Sequence, residues 1–325
     1  MREALLALEP TQLAVLDWAS DDESDLHHRV RRIEELGPTA ESPPEGAWDR
    51  AAEADLIVTH MCPVSGALIE RASRLAKVGV CRAGVENIDL AAARARSIHL
   101  YNVPGRNAVA VAEFTIGLIL AERRNIARAH GSIADGNWQK RFANYGHETE
   151  IAGKTVGIVG FGLIGQTVAS YLTALGARLI VHDPWQPAEF IERRGGRSVS
   201  LAALLRESDV VTLHARASAG SRPIIGSSEL RLMKRTAVLI NTARAALVDC
   251  QALLEALRAR QIAGAAIDVF AEEPIARDSP WRQLDNVTLT PHLAGSTIEA
   301  FHHAPRLVVE RIQQDLRYPL EQASP

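Results

Sequence analysis

Three charged side chains each follow one of three successive strand-like segments, and their types could move a proton beside an anionic molecule. Arg244 comes after the first segment, Glu273 after the second and His292 after the third. Histidine can accept and return a proton near neutral pH, and a neighbouring carboxylate orients its ring and favours its protonated form. The planar guanidinium of arginine binds a carboxylate through two parallel hydrogen bonds. The three residue types therefore predict general acid–base chemistry on a small anionic molecule.

A glycine-rich turn in the middle of the chain predicts a phosphate-binding loop. Residues 156–165 read VGIVGFGLIG, a G-x-G-x-x-G pattern that follows an apolar strand and opens a helix. In such a turn Gly160 permits the tight bend, Gly162 lets the backbone approach a pyrophosphate, and Gly165 allows close packing of helix on strand. The amides and positive dipole of the helix N-terminus then attract the phosphates. We therefore predict a dinucleotide-binding loop.

The strand that follows this loop indicates which dinucleotide binds. It ends at His182 and Asp183, and a carboxylate at that strand tip accepts hydrogen bonds from ribose hydroxyls and repels a 2′-phosphate. The pattern favours NAD. Arg216 and Arg222, which follow a later strand, leave NADP open.

The dinucleotide loop and the three charged residues fit one type of reaction. A nicotinamide that exchanges a hydride with a secondary alcohol needs a proton acceptor, a group that orients this acceptor, and a cation for an anionic substrate. His292, Glu273 and Arg244 match these needs in that order. Taken alone, Arg244 could be part of a surface ion pair, Glu273 a solvated charge and His292 a satisfied loop histidine. Together with the loop they predict an oxidoreductase.

The elements that must position these residues alternate between strands and helices. Short β-branched runs separated by helical stretches rich in Ala, Leu and Arg predict parallel sheets covered by helices, and a doubly wound sheet binds ligands beyond the carboxyl ends of its strands. In the first third of the chain the predicted strands are 13–16, 55–59, 78–81 and 99–102. The six predicted strands of the middle part are 155–159, 178–182, 210–213, 237–241, 264–269 and 287–289.

Composition limits the class of protein. The chain has 325 residues, 47% of them apolar, and a net charge of −3, which suits two globular domains and gives no electrostatic reason for nucleic acid or an anionic membrane as partner. It has three widely spaced cysteines and no apolar stretch of the ~20 residues that a membrane span needs. We expect a cytoplasmic protein without a signal peptide. The His and Cys spacings match no metal site, so we expect no metal.

Several motifs, in one order along residues 55–300, resemble those of the D-isomer-specific 2-hydroxyacid dehydrogenase family. Besides the glycine turn they are GVENID at 84–89, NVPGRN at 102–107, AE at 112–113, NTAR at 241–244, DVFAEEP at 268–274 and TPHLAGST at 290–297. The resemblance implies an NAD-dependent enzyme that interconverts a small D-2-hydroxy acid and its 2-keto acid. It also implies a homodimer formed through helices of the cofactor domain.

The resemblance implies a discontinuous domain layout. A smaller, flavodoxin-like α/β substrate domain is expected at residues 1–103 and 297–325. Along the chain, these two segments flank a Rossmann-type dinucleotide-binding domain at residues 104–296.

The resemblance also assigns roles to single residues. His292 is the acid/base, Glu273 is its partner, and Arg244 binds the substrate carboxylate. The backbone amides near Ala83 and Gly84 hold the far end of the substrate carboxylate. The cofactor-binding residues are Gly160, Gly162, Leu163, Ile164, Gly165, Asp183, His214, Thr242, Ala243, Arg244, Asp268, His292 and Gly295. Among these, Leu163 and Ile164 meet the pyrophosphate, and Asp268 meets the nicotinamide carboxamide.

One departure from the family bears on the substrate. Arg82 stands where many relatives have a small residue, so we hypothesise that it binds a second anionic or polar group of the substrate. A solvent-facing arginine is the other interpretation.

Three alternative functions remain open. They are a 3-phosphoglycerate dehydrogenase, an NAD(H)-sensing protein like the C-terminal-binding corepressors, and a formate dehydrogenase. Glu273 counts against formate oxidation, because relatives with that activity pair the histidine with a neutral amide.

Overall fold

The computed structural model describes residues 1–18, 20, 22–147, 149–216 and 222–317. The chain divides into two compact units: unit 1 is Met1–Arg106 with Thr297–Pro325, and unit 2 is Asn107–Ser296. Residues 318–325 of the predicted substrate domain lie outside the described residues. That unit 1 binds the substrate and unit 2 the cofactor stays a prediction at this point.

The described residues form ten strands and thirteen α-helices. The strands are β1 (Leu56–Thr59), β2 (Lys77–Val80), β3 (His99–Asn102), β4 (Thr155–Val159), β5 (Arg178–His182), β6 (Gly196–Ser198), β7 (Val210–Leu213), β8 (Val238–Asn241), β9 (Gly264–Ile267) and β10 (Val287–Leu289). The helices are α1 (Arg2–Leu6), α2 (Glu23–Leu36), α3 (Ala47–Glu53), α4 (Gly66–Arg71), α5 (Leu90–Ala95), α6 (Ala108–Arg124), α7 (Ile126–Ala134), α8 (Leu163–Ala174), α9 (Ala188–Glu192), α10 (Leu201–Glu207), α11 (Ser227–Leu230), α12 (Cys250–Arg258) and α13 (Ile298–Arg317).

Unit 1 is built on a parallel sheet with the order β1-β2-β3. Helix α13 packs directly on this sheet, because Gly79 of β2 has no side chain: a Cβ there would lie 2.5 Å from Cγ1 of Val308. Ala304, Val308 and Ile312 of the helix are buried with Cys81 beyond the end of β2. The C-terminal helix therefore completes the core of unit 1.

The strand predicted at residues 13–16 is not formed. The segment pairs with none of the described strands, and Val15 and Leu16 are exposed. A short apolar run becomes a strand only where a neighbouring strand takes up its backbone hydrogen bonds. The prediction of a strand at 13–16 was therefore wrong.

Unit 2 confirms the predicted doubly wound sheet. Its seven parallel strands have the order β10-β9-β8-β7-β4-β5-β6, the arrangement in which the chain leaves the first strand to one side and later continues to the other. The order reverses between β4 and β7, which is the position where such sheets bind ligands. The sequence prediction had six strands. It missed β6, whose residues Gly-Arg-Ser carry no apolar pattern.

The core of unit 2 lies on both faces of this sheet. Strands β7, β8 and β9 are buried along their whole length, as expected for a parallel sheet covered by helices on two sides. Two helices that return to the sheet begin at side-chain caps: Ser200 accepts a hydrogen bond from the Ala203 amide and Asp249 from the Ala252 amide. These caps define where the two helices begin.

A buried ion pair joins helices α6 and α7, and a hydrogen bond to the same carboxylate ties α6 to strand β10. Both Glu122 carboxylate oxygens accept hydrogen bonds from Arg128, at 2.8 and 2.9 Å, and one also accepts from the Thr288 hydroxyl at 2.7 Å. Burial raises the pKa of Glu122, and the contact with Arg128 opposes this. Because a buried carboxylate is stable only with such partners, these bonds fix the strand that leads to His292.

Candidate active site

Three neighbouring strands bring the predicted catalytic residues to one edge of the unit 2 sheet. Strand β9 lies between β8 and β10. Its residue Ile267 pairs with Asn241 of β8 on one side and with Leu289 of β10 on the other, so the three form a row across the sheet. Arg244 and His292 each come three residues after this row. Glu273 comes six residues after Ile267, on the loop that follows the central strand β9.

His292 and Glu273 form a direct pair. The Nδ1 atom of His292 lies 2.8 Å from Oε2 of Glu273. The other carboxylate oxygen of Glu273, Oε1, accepts a hydrogen bond from the Phe270 amide at 2.8 Å. The carboxylate is thereby oriented from its own loop and holds the imidazole in turn. With Nδ1 engaged, Nε2 is the ring nitrogen left to exchange a proton. The side chain of His292 is 43% exposed, so an outside molecule can reach it.

Charges around His292 favour its protonated form. The hydrogen bond to Glu273 raises the pKa of His292 most, and the negative charges of Glu273 and Asp268 raise it further. Burial and the positive charge of Arg244 lower the same pKa, and the net effect is an increase. The ring can therefore hold a proton at a higher pH than a free histidine while remaining a reversible acid.

Asp268 holds the loop that carries His292. Its carboxylate accepts hydrogen bonds from the Thr290 hydroxyl at 2.6 Å and from the amides of Leu293 and Ala294 at 2.9 Å each. Its carbonyl accepts from the His292 amide at 2.9 Å. His292 has a φ of 55°, which is the left-handed region and costs about 1–3 kcal/mol for a residue other than glycine. The four bonds oppose this cost.

The predicted contact between Asp268 and the nicotinamide carboxamide stays a prediction. Asp268 is 0% exposed, and three protein donors already share its two oxygens. A carboxylate has about four acceptor positions, so one remains.

The loop of Arg244 is shaped by Asn241. The side-chain amide of Asn241 donates to the Arg244 carbonyl at 2.9 Å, and its oxygen accepts from the Ala243 amide at 3.1 Å. The Thr242 hydroxyl lies 2.8 Å from that of Thr115 on helix α6. The guanidinium of Arg244 contacts only the adjacent Ala243 carbonyl, at 2.7 Å, among its described hydrogen bonds. In the sequence, Asn241 was noted only as part of the NTAR motif. Neither its positioning role nor that of Thr115 was predicted.

The three glycines of the turn after β4 have different structural requirements. Gly160 has a φ of 92°, and a Cβ there would lie 2.5 Å from the Ala215 nitrogen. A Cβ at Gly165 would overlap the carbonyl oxygen of Gly160. Gly162 has an ordinary φ of −71°, and a Cβ there would meet no described atom within 4 Å. The fold therefore needs the first and third glycines, whereas the second leaves room for an approaching group.

The surroundings of Gly162 fit a pyrophosphate. Gly162 is the N-cap of helix α8 and offers no side chain to the first-turn amides, which include the predicted residues Leu163 and Ile164. Such amides attract anions. Asp183 lies at the same turn, because its carboxylate accepts from the Phe161 amide at 2.6 Å and from the Trp185 amide at 2.8 Å.

His214 lies across the switch point from this turn. Its amide donates to the Val159 carbonyl at 2.7 Å, and its Nε2 lies 2.9 Å from the Thr212 hydroxyl. Burial lowers the pKa of His214 to about 3, so the ring is neutral. Its buried Nδ1 has no hydrogen-bond partner among the described residues. A buried polar atom without a protein partner at a ligand-binding crevice fits a bound cofactor.

Gly295 closes the loop after His292. A Cβ at Gly295 would lie 2.5 Å from the side-chain nitrogen of Asn107, so a larger residue there would displace that side chain. Unit 2 thus contains all the predicted catalytic residues and all the predicted cofactor-binding residues.

The predicted substrate segment Arg82, Ala83 and Gly84 belongs to unit 1. The Ala83 carbonyl accepts a hydrogen bond from the Asn102 side chain at 2.6 Å, and a Cβ at Gly84 would overlap the Glu86 carboxylate. The Arg82 side chain is only 15% exposed and forms an ion pair with Glu34 at 2.5 Å. The solvent-facing interpretation of Arg82 is therefore wrong, and any substrate anion would compete with Glu34.

The described residues contain neither a candidate metal site nor a candidate membrane span. No group of three or more His, Cys, Asp or Glu side chains there could hold a metal ion. None of the described helices combines the length and the apolar character needed to cross a membrane.

Comparisons with known proteins agree with the geometry. Residues 116–294 match the family model described as D-isomer specific 2-hydroxyacid dehydrogenase, NAD binding domain. The chain is 40% identical to D-3-phosphoglycerate dehydrogenase of Methanocaldococcus jannaschii over 276 residues, which are 84% of this chain and 52% of that protein. It is 40% identical to glyoxylate reductase of Aeropyrum pernix over 263 residues, which are 79% of this chain and 78% of that protein. The chain therefore spans about half the length of the phosphoglycerate dehydrogenases it matches and most of the glyoxylate reductase.

A solved structure shows the same similarity. The NAD complexed form of D-isomer specific 2-hydroxyacid dehydrogenase from Lactobacillus delbrueckii ssp. bulgaricus has a TM-score of 0.73 and 25% identity, and the match covers 91% of this chain and 95% of that one.

Proposed function

The chain belongs to the D-isomer-specific 2-hydroxyacid dehydrogenase family, and from this premise we propose that it interconverts a small D-2-hydroxy acid and its 2-keto acid with NAD. The observation that carries the proposal is the pair of His292 and Glu273, 2.8 Å apart, with Arg244 close enough to act on the pKa of His292. The pair supplies a proton-exchanging ring, and Arg244 supplies a cation for an anionic substrate.

The proposed roles follow from the contacts of each residue. In reduction, protonated His292 gives the proton on Nε2 to the keto oxygen, and in oxidation the neutral ring takes it back from the hydroxyl. Glu273 holds Nδ1 and stabilises the charged ring. The fork of Arg244 binds the carboxylate next to the reacting carbon.

The cofactor has its own set of proposed contacts in unit 2. Bound NAD supplies the hydride acceptor, and NADH the hydride donor. The turn at Gly162 with the amides of Leu163 and Ile164 would hold its pyrophosphate, and Asp183 would accept hydrogen bonds from its adenosine ribose. Asp183 favours NAD over NADP, because its carboxylate repels a 2′-phosphate.

The relatives support two substrates for this chain. The match to a phosphoglycerate dehydrogenase favours 3-phosphoglycerate, and the match to a glyoxylate reductase favours glyoxylate. Formate oxidation is disfavoured, because Glu273 and not a neutral amide contacts the ring of His292. An NAD(H)-sensing role would keep the same cofactor contacts without turnover.

We also propose a cytoplasmic homodimer. The cytoplasmic location is supported by three free cysteines among the described residues, which suit a reducing compartment. The dimer is supported by the family resemblance and by large apolar side chains of unit 2 that are exposed, among them Val109 and Leu175.

A panel of 2-keto acids tests the proposed function. Purified protein is mixed with NADH and glyoxylate, hydroxypyruvate, 3-phosphohydroxypyruvate or pyruvate, and NADH consumption is followed by absorbance; NADPH is tested in parallel. We expect turnover with at least one keto acid, and a loss of roughly 10²–10⁴-fold in the His292→Ala variant, as is usual when a general acid is removed.

Tight NADH binding without turnover on any keto acid would refute the enzyme and favour the sensing role. Unchanged turnover in His292→Ala would refute the acid/base role while leaving the family assignment in place.

A further inference from the structure

A cluster of basic side chains lies at the carboxyl end of the unit 1 sheet. His60 directly follows β1, Arg82 comes shortly after β2, and Arg106 comes shortly after β3. Phe301, in the first turn of α13, joins them: its ring is 5.7 Å from that of His60 and 5.6 Å from the guanidinium carbon of Arg106. The cluster lies on the same strand ends as the predicted substrate segment.

Arg106 has few partners for a half-buried cation. Its Nη1 donates to the Ala300 carbonyl at 3.0 Å, and it forms no ion pair with any described residue. A guanidinium has five N–H donors, so most of them are available. Burial and the charge of Arg82 both lower the pKa of Arg106, which shows that the protein itself destabilises this positive charge.

The other members of the cluster do not neutralise Arg106. Burial lowers the pKa of His60 to about 4, and the charges of Arg106 and Arg82 contribute to this decrease, so His60 is neutral at pH 7. Arg82 is paired with Glu34. The net charge of the cluster with Glu34 is therefore positive and resides on Arg106.

Removing a cation even partly from water without a counter-ion costs free energy, and a bound anion offsets this cost. Retaining Arg106 beside Arg82, where the two charges repel, is explained by an anion that binds there. Phe301 is 51% exposed, so the cluster is open to a ligand on that side. Guanidinium groups bind carboxylate and phosphate oxygens in the same forked geometry.

We infer that Arg106 is the specificity-determining residue for a second negatively charged group of the substrate, a terminal carboxylate or phosphate. This inference rests on the proposed function, because it concerns the substrate of that same reaction. It replaces the hypothesis that Arg82 reads this second group, because Arg82 is already neutralised by Glu34.

The inference predicts opposite effects for two variants. Arg106→Met removes the free cation and should weaken binding of the charged group. Glu34→Gln releases Arg82 from its ion pair and should strengthen it. A merely structural role for Arg106 would change kcat/KM for charged and neutral substrates alike and leave their ratio unchanged. Arg74→Met is the matched control, because Arg74 is an exposed unit 1 arginine paired with Asp55, just before β1.

The experiment compares keto acids of equal carbon skeleton with and without a terminal charge. One pair is 2-oxoglutarate and 2-oxopentanoate, and the other is 3-phosphohydroxypyruvate and hydroxypyruvate; the two pairs distinguish a carboxylate from a phosphate. The readout is the ratio of kcat/KM, charged over neutral. We expect a wild-type ratio above one in at least one pair. We expect that ratio to fall roughly 10- to 100-fold in Arg106→Met, the scale of hydrogen bonds to charged groups, to rise in Glu34→Gln, and to stay unchanged in Arg74→Met.

A wild-type preference for the neutral member of both pairs would overturn the inference, and so would equal ratios in Arg106→Met and wild type. If Arg106→Met does not fold by circular dichroism, Arg106→Lys, which keeps the charge and loses the fork, takes its place together with Glu34→Gln.

Failure of the proposed function is recognised separately. If no keto acid consumes NADH, the proposed function fails, and calorimetric titration of the same variants with inorganic phosphate and with succinate still decides the inference. Binding that Arg106→Met abolishes and Arg74→Met retains would support an anion site, and absence of binding to wild type would overturn it.

Discussion

Two glycines of one turn should respond to the same substitution in opposite ways. Alanine at Gly160 must adopt a φ of 92° and place its Cβ 2.5 to 2.7 Å from backbone atoms of His214 and Ala215. The left-handed conformation costs roughly 1–2 kcal/mol, and crowding in a packed interior typically costs about 1–3 kcal/mol more. We therefore expect Gly160→Ala to lower the free energy of unfolding by about 2–5 kcal/mol.

Alanine at Gly162 meets neither difficulty. The backbone there is in a conformation that any residue adopts, with φ −71° and ψ −165°, and no described atom lies within 4 Å of the added Cβ. Reduced freedom of the unfolded chain should even stabilise the variant by about 0.4–1 kcal/mol. The methyl group would occupy the space through which a pyrophosphate approaches the amides of Leu163 and Ile164. We expect NADH affinity to fall more than about tenfold, on the scale of one overpacked methyl group.

Thermal unfolding and NADH titration separate the two effects. For a unit of this size, 2–5 kcal/mol corresponds to a fall in Tm of roughly 5–15 °C, which Gly160→Ala should show and Gly162→Ala should not. NADH binding, followed by the fluorescence of the reduced cofactor, should be weakened in Gly162→Ala at a temperature where it is fully folded. Wild-type NADH affinity in Gly162→Ala would refute the assignment of this turn to the pyrophosphate, and wild-type stability in Gly160→Ala would refute the packing argument.

Three further predictions concern the catalytic edge of the sheet. Glu273→Gln removes the carboxylate that raises the pKa of His292, so kcat/KM for keto-acid reduction, which needs the protonated ring, should decline at a lower pH than in the wild type; an unchanged pH profile would contradict the pairing. Arg244→Lys keeps the charge but loses the fork, so steady-state kinetics should show a higher KM and a lower kcat, whereas an effect on neither would exclude Arg244 from substrate binding. Asp268→Asn replaces an acceptor by a donor opposite two backbone amides and a hydroxyl, and denaturant unfolding should show a loss of about 2–4 kcal/mol; a stable variant with wild-type activity would show that Asp268 does not hold the loop.

The sheet of unit 2 could be predicted because most of its strands have a recognisable sequence pattern. Fully buried parallel strands are continuous runs of β-branched and aliphatic residues, and six of the seven were found within two residues of their ends. The seventh, β6, is a three-residue edge strand whose pairing with β5 comes from its neighbour and not from its own side chains. The segment at 13–16 shows the reverse error, since it has strand-like residues and no partner.

The sequence allowed the candidate reacting groups to be predicted, but not the residues that hold them. His292, Glu273 and Arg244 were predictable because proton exchange and carboxylate binding require particular residue types. Asn241 and Thr115 act through hydrogen bonds that form only after folding, and nothing in their local sequence distinguishes them from buried polar residues elsewhere. The ion pair of Arg82 with Glu34 joins residues 48 positions apart, so the sequence gives no sign that the arginine is neutralised.

The backbone of His292 shows why this loop is built on Asp268. Glycine would adopt the left-handed conformation at this position without strain, but glycine lacks the ring that the proposed proton exchange needs. The protein therefore keeps a histidine at a conformational cost of about 1–3 kcal/mol, and the loop stays in place because Asp268 binds both ends of it, at Thr290 and at Leu293 and Ala294. The carboxylate that orients the ring, Glu273, comes from the neighbouring strand and not from this loop. Asp268 holds the loop and adds a smaller increase to the pKa of His292, whereas the hydrogen bond to Glu273 raises that pKa most. A change in Asp268 should therefore first affect the stability of the loop, and a change in Glu273 should first affect the pH dependence of turnover.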